Sequence, residues 1–153
     1  MTNCTYCDEG GATFCIRSHA TPGGPYIRVM AHRACAQRHG VPVLYIEAMR
    51  ADAAVLLESA ALPPADVLET TLLRVRGHVQ VLIPVVADAA VSRPRHDDLR
   101  VRASAGIGEA QARLGEQPSA DLVRAVRHAQ RLARSVVALT THLAALRNAG
   151  EEP

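Results

Sequence analysis

The chain contains no lysine and no tryptophan, and only one phenylalanine and three tyrosines among 153 residues. All 17 basic residues are arginine, a bias that a GC-rich genome produces without functional selection, so arginine abundance alone assigns no partner. Neither charge sign is in excess: the net charge of +2 gives no global pull toward nucleic acid or an acidic membrane. Long apolar runs are missing too. The longest, Val79 to Val91, is broken by Gln80 and Asp88 and is too short to span a bilayer, and the amino terminus lacks the basic start, apolar run and cleavage site of a secretory signal. The expectation is a soluble cytoplasmic protein with no membrane partner. Also absent are a Ser/His/Asp signature, a phosphate-binding glycine loop, paired catalytic carboxylates, internal repeats and low-complexity segments. Hydrophobic residues nevertheless make up 48% of the chain, enough for a folded core.

What is present begins at residue four. Cys4 and Cys7 form a C-x2-C pair, and His32 and Cys35 form an H-x2-C pair further on. Two such pairs are what a tetrahedral structural zinc site requires, because a tight turn or a first helical turn aims both side chains at one point. Four protein ligands leave no open position for water or substrate, so the expected cofactor is one structural Zn2+ held by Cys4, Cys7, His32 and Cys35. Cys15 falls within a strand-like segment and reads as a non-ligand. The alternative is an all-cysteine set in which it replaces His32. His19 and His39 read as surface residues.

Composition changes near residue 41. Before it the chain is rich in Gly, Cys and β-formers; after it, in Ala, Leu, Val and Arg, and nothing beyond Tyr45 is aromatic. The expected division is a zinc module over residues 1–41 and a helical domain over 42–153. In the first part, Thr13 to Ser18 and Tyr26 to Met30 alternate as strands around a turn-rich segment, with Phe14, Ile16, Ile27 and Val29 able to share a face. A short helix starts near His32 and stops at Gly40. Knuckle, hairpin and helix together make a treble-clef-like ββα module.

The second part reads as four helices joined by short connections, which favours an antiparallel bundle. The first runs from about Pro42 to Ala60, with Leu44, Ala48, Ala51 and Val55 on one face and Tyr45, Met49 and Leu56 beside it. The second follows Pro63-Pro64, carries Leu68, Leu72, Val75, Val79, Leu82 and Val86 on one stripe, and contains Pro84, where a kink is expected. Asp97 or Asp98 caps the third, with Leu99, Ala103, Ile107, Ala110 and Leu114 at helical spacing. Ser119 is the expected cap of the fourth, whose Leu122, Ala125, Ala129, Leu132, Val136, Leu139, Leu143 and Leu146 form an unbroken seam. The fold class is therefore mainly α, a four-helix antiparallel bundle preceded by the zinc module.

On the last helix Arg124, Arg127, Arg131 and Arg134 repeat at 3, 4 and 3 and form one stripe away from the leucine seam. Such a stripe can track phosphates, but a solvated helix face explains it as well, since no lysine or aromatic accompanies it. Arg33 and Arg38, with Arg17 and Arg28, give the first forty residues a local positive excess over Asp8 and Glu9. His78, Glu109, His128 and His142 are polar groups on helices. No Glu-x-x-His pair accompanies them, so boundary histidines satisfied by neighbours are expected in place of a metal site. Gly106-Ile107-Gly108 reads as a place where two helices approach closely.

The residues from Pro64 to about Leu146, notably Arg76-Gly77-His78, Gly106-Ile107-Gly108-Glu109 and Gln130-Arg131-Leu132-Ala133-Arg134, resemble an uncharacterised actinobacterial helical family whose members are labelled natural product biosynthesis proteins. The resemblance implies Arg76, His78, Glu109, Arg131, Arg134 and His142 as family-like polar positions, with Glu109 a partner for part of the arginine stripe. The chain departs from the family pattern at Val85, where an acidic residue tends to follow the proline, and at Leu143, where an aromatic tends to follow the histidine. The functional expectation is a non-catalytic zinc-binding accessory or regulatory protein linked to actinobacterial secondary metabolism. It would act through a protein partner or self-association, with DNA contact as an addition. The alternative is a tailoring or cofactor-dependent enzyme of that metabolism, with a pocket between helices lined by His78, Glu109 and His142.

Overall fold

The structure is a computed structural model that describes residues 2–20, 26–41 and 44–149. The chain is mainly helical and divides into two compact units, Met1–Leu44 and Tyr45–Pro153.

The first unit starts as a tight loop. An isolated bridge pairs Asn3 with Gly10, the Cys4 amide donates to the Glu9 carbonyl, and the Asp8 amide donates back to the Cys4 carbonyl, with Asp8 at φ 57°. Strands β1 (Phe14–Ala20) and β2 (Tyr26–Ala31) follow as an antiparallel pair, in which Phe14 lies opposite Ala31 and Cys15 opposite Met30. A register shift between Cys15 and Arg17 leaves Ile16 as an extra residue, which puts Phe14 and Ile16 on the core with Met30 and Ala31. This corrects the expectation for Ile27, which is exposed: it pairs with His19, toward the end of the hairpin away from Phe14, Ala31 and the core. Helix α1 (Arg33–Arg38) ends at Gly40, whose φ of 69° is the left-handed conformation that suits glycine after a helix. The turn expected between the strands and the proposed helix start at Pro42 lie outside the described residues.

The second unit consists of α2 (Ile46–Leu57), α3 (Ala65–Val91), α4 (Asp98–Gly115) and α5 (Leu122–Asn148). Helix α5 packs against each of the other three, and α3 also packs against α2 and α4. Its seam supplies most of the core: Ala129, Leu132, Val136, Leu139, Leu143 and Leu146 are buried, facing Val75, Val79, Leu82 and Val86 of α3. Pro84 lies inside α3, which continues unbroken to Val91.

Three local expectations are corrected. The buried face of α2 is Met49, Ala53 and Leu56, while Ala48, Ala51 and Val55 face solvent. Alanine-rich helices offer competing stripes of equal spacing, and the one bearing Met and Leu buries more apolar area. Arg50 then fixes the rotation by donating to the hydroxyls of Thr140 and Thr141 on α5, both at 3.0 Å. The cap of α5 is Asp121, which accepts from the Arg124 amide at 2.8 Å; Ser119 instead accepts from the Asp121 amide. Leu122, at the start of the expected seam, is 39% exposed. The expected cap of α4 is Asp97, which accepts from the Leu99 and Arg100 amides and from Nε and Nη2 of Arg93 at 2.8 and 2.7 Å. The Arg93 contact outweighs burial and holds the Asp97 carboxyl down at about 2.

Among the described residues, no helix is long and apolar enough to cross a membrane.

Candidate metal centre

The loop at the amino terminus and the start of α1 converge on one point. The ligand atoms of Cys4, Cys7, His32 and Cys35 all lie within 4.8 Å of one another and could hold a metal ion. Cys7 Sγ is 3.5 Å from His32 Nδ1, and Cys35 Sγ is 3.9 Å from both Cys7 Sγ and His32 Nδ1. A tetrahedral zinc centre with ordinary bond lengths has sulfur–sulfur edges of about 3.8 Å and sulfur–nitrogen edges of about 3.6 Å. The donor set therefore fits that ion. His32 is one of the four, and the Cys15 and His19 side chains lie outside the described ones.

Local structure explains the convergence. The reversal from Cys4 to Asp8 folds the C-x2-C pair back on itself, and His32, the residue before α1, stands one helical turn from Cys35. His32 Nε2 is 3.2 Å from the Gly10 carbonyl. With the proton on Nε2 donating to that carbonyl, Nδ1 is left as the ligand, the usual outer-shell arrangement of a metal-bound imidazole. The His32 amide points at Cys4 Sγ at 3.4 Å, and Arg38 Nη2 donates to Cys35 Sγ at 3.1 Å. Three thiolates around a dication leave one negative charge, which the Arg38 guanidinium offsets.

Electrostatics of the sulfurs points the same way. Burial raises the Cys4 thiol, but the backbone amides of His32, Tyr6 and Cys7 outweigh it and bring it down to about 6. At Cys7 the Glu9 amide favours the thiolate, yet burial and the neighbouring Cys4 and Cys35 sulfurs prevail and push it up to about 11. One thiolate is readily formed and a second resists ionising beside it. A dication removes that conflict by compensating the charge.

Around the centre, Tyr6 stacks on His39 with ring centroids 4.1 Å apart, and the Arg33 guanidinium lies 5.5 Å from the centre of the Phe14 ring. His39 thus has a packing role that its position in the sequence did not signal.

In the helical unit, the family-like polar positions engage different partners. His78 Nε2 is 2.7 Å from Asp52 of α2, with Arg74 beside the same carboxylate at 3.9 Å. Arg76 donates to the Leu114 carbonyl at the end of α4 at 2.7 Å. Glu109 pairs with Arg113 one turn along α4, and Arg113 also reaches Ser135 and the Arg131 carbonyl on α5. This corrects the expected link between Glu109 and the arginine stripe: the carboxylate that takes Arg131 is Glu116. His142 sits against Gly106, and burial, helped by Arg102, lowers its pKa. His128 is almost wholly buried; its Nδ1 is 3.3 Å from Glu116, and its Nε2 has no partner among the described residues.

A family model, described as a family of unknown function (DUF6415), matches residues 47–148. The chain belongs to this family. The DUF6415 segment begins in the first turn of α2 and ends at the last residue of α5, so it spans the helical unit and excludes all four residues of the Cys/His cluster. No curated protein and no solved structure matches the chain. Within the DUF6415 segment, sequence reasoning missed Asp52, Arg50, Arg113 and Glu116. Each is an ordinary charged residue whose role depends on a neighbour in another helix or in the α4–α5 connection, and no spacing rule marks it.

Proposed function

We propose that this DUF6415 protein is a non-catalytic accessory or regulatory protein. One structural zinc ion, held by Cys4, Cys7, His32 and Cys35, organises a treble-clef-like module on a chain whose helices form an antiparallel four-helix bundle. The observation that carries this reading is the closed set of three sulfurs and one imidazole with edges of 3.5 and 3.9 Å. A zinc ion there would hold the loop, the hairpin and α1 together and supply no reacting group, because all four positions of a tetrahedron are taken by protein.

A protein partner is favoured over DNA in the first unit. Arg38 is committed to Cys35 and Arg33 lies over Phe14, so the two guanidiniums expected to reach phosphates already have partners in the module. The resemblance of residues 64–146 to proteins labelled for natural product biosynthesis supports service in secondary metabolism. The enzymatic alternative needs His78, Glu109 and His142 around one pocket. Their separate engagement with Asp52, Arg113 and the Gly106 surface gives it no support.

Elemental analysis of purified protein tests the metal directly, with one zinc per chain expected. Cobalt substitution should give the absorption of a tetrahedral three-thiolate site, lost in Cys4→Ser. Absence of stoichiometric metal overturns the reading. The accessory role predicts that affinity capture from the native host recovers one protein species with the wild type and loses it with Cys4→Ser; capture of nucleic acid alone would replace that role.

A further inference from the structure

The arginines of the helical unit fall into two groups. Arg50, Arg76, Arg100 and Arg113 are struts, each donating to a hydroxyl or carbonyl of another element or turn. Arg124, Arg127 and Arg134 are exposed and, among the described residues, none of them forms an ion pair. These three, with Arg131, His128 and Gln117 of the preceding connection, line a cavity of about 660 Å³.

We infer that this cavity is a binding site for a compact oligophosphate, the diphosphate or triphosphate group of a small molecule. Four arginines line one concavity, and the Glu116 carboxylate beside Arg131 compensates one of them, which leaves three without an ion pair among the described residues. Guanidinium forks match phosphate oxygens in pairs, and a site of this size holds a small ligand. A guanidinium presents a planar fork that pairs two oxygens of one phosphate, which the point charge of an ammonium does not.

Duplex DNA fits less well. The stripe covers ten residues of one helix, about 15 Å at helical rise, and lines a hollow in a protein whose net charge is only +2. A helix that reads a groove presents its basic residues outward into that groove, whereas these line a hollow. The site lies wholly in the helical unit and is independent of the zinc reading.

The test is calorimetric titration of the full zinc-loaded chain with sodium tripolyphosphate and, separately, with a short DNA duplex at about 0.15 M salt. Saturable binding of one tripolyphosphate per chain is expected. Arg127→Gln and Arg134→Gln should each weaken it by about tenfold, as loss of a charge-assisted contact does. Both substitutions are at exposed positions, so thermal melting should show an unchanged fold. Arg74→Gln, an exposed arginine on α3, should leave the affinity unaltered. No saturation by about 10 mM tripolyphosphate overturns the inference. So does an equal loss with Arg74→Gln, and so does duplex binding that is tighter than, and competitive with, tripolyphosphate.

Discussion

The two units bury different things. The core of the first is Cys4, Ala12, Ala31, Cys35 and Ala36, with Tyr6, Phe14, Ile16, Met30 and Val41 partly covered around it. The core of the second holds Leu82, Leu132, Leu139 and Leu143, all at 2% exposure or less, together with Val75, Val79, Val86 and Val136. Alanine contributes little apolar area, and two of the five residues of that cluster, Cys4 and Cys35, belong to the set that could hold a metal ion. About forty residues with so small a core fall below the size at which packing alone sustains a fold. A structural zinc site contributes about 10–16 kcal/mol at neutral pH, more than such a segment gains from any other source. With the proposed zinc in place, one unit would be organised by coordination and the other by packed aliphatic side chains, and each should fail by its own route.

Removal of metal is the largest expected effect. Chelation should convert the amide resonances of residues 2–41 to random-coil positions while those of residues 47–148 keep their dispersion. If the first unit keeps its dispersed resonances without metal, the comparison fails. A reciprocal perturbation comes next. Leu139→Ala removes a fully buried side chain from the seam of α5 and should lower the stability of the helical unit by about 2–5 kcal/mol in denaturant unfolding, with metal content unchanged.

This contrast also explains what could be read in advance. The convergence of Cys4, Cys7, His32 and Cys35 was legible because coordination chemistry imposes short spacings, and a C-x2-C or H-x2-C is visible without knowing the fold. The α5 seam was legible for a similar reason: Ala129 to Leu146 repeat over several turns, and long periodicity survives local noise. The face of α2 was not. Ala48, Ala51 and Val55 compete with Met49, Ala53 and Leu56 at the same spacing, and the choice rests on the area buried against α5 and on Arg50 reaching Thr140 and Thr141. The exposure of Ile27 was missed because alternation assigns a face of the hairpin without showing how far along it the core reaches. Nor was the burial of His128 visible, since it depends on Glu116 in the turn before α5 supplying the partner for Nδ1.

The smallest expected effect separates two glycines that look equivalent in the sequence. Gly106 and Gly108 are both interior to α4, where replacing glycine by alanine ordinarily stabilises by about 0.5–1 kcal/mol through helix propensity. A Cβ on Gly108 meets nothing within 4 Å, so Gly108→Ala should realise that gain in full. A Cβ on Gly106 would stand 2.9 Å from Nε2 and 3.0 Å from Cδ2 of His142 on α5. The half-buried ring must move, and the cost should cancel the propensity gain and leave Gly106→Ala destabilising by about 1 kcal/mol. The double-mutant cycle assigns the cause. In a His142→Ala background the obstruction is gone, and Gly106→Ala should become stabilising like Gly108→Ala. If Gly106→Ala stays destabilising there, the glycine serves α4 by some route other than close approach to α5, and aliphatic packing alone does not account for how those two helices meet.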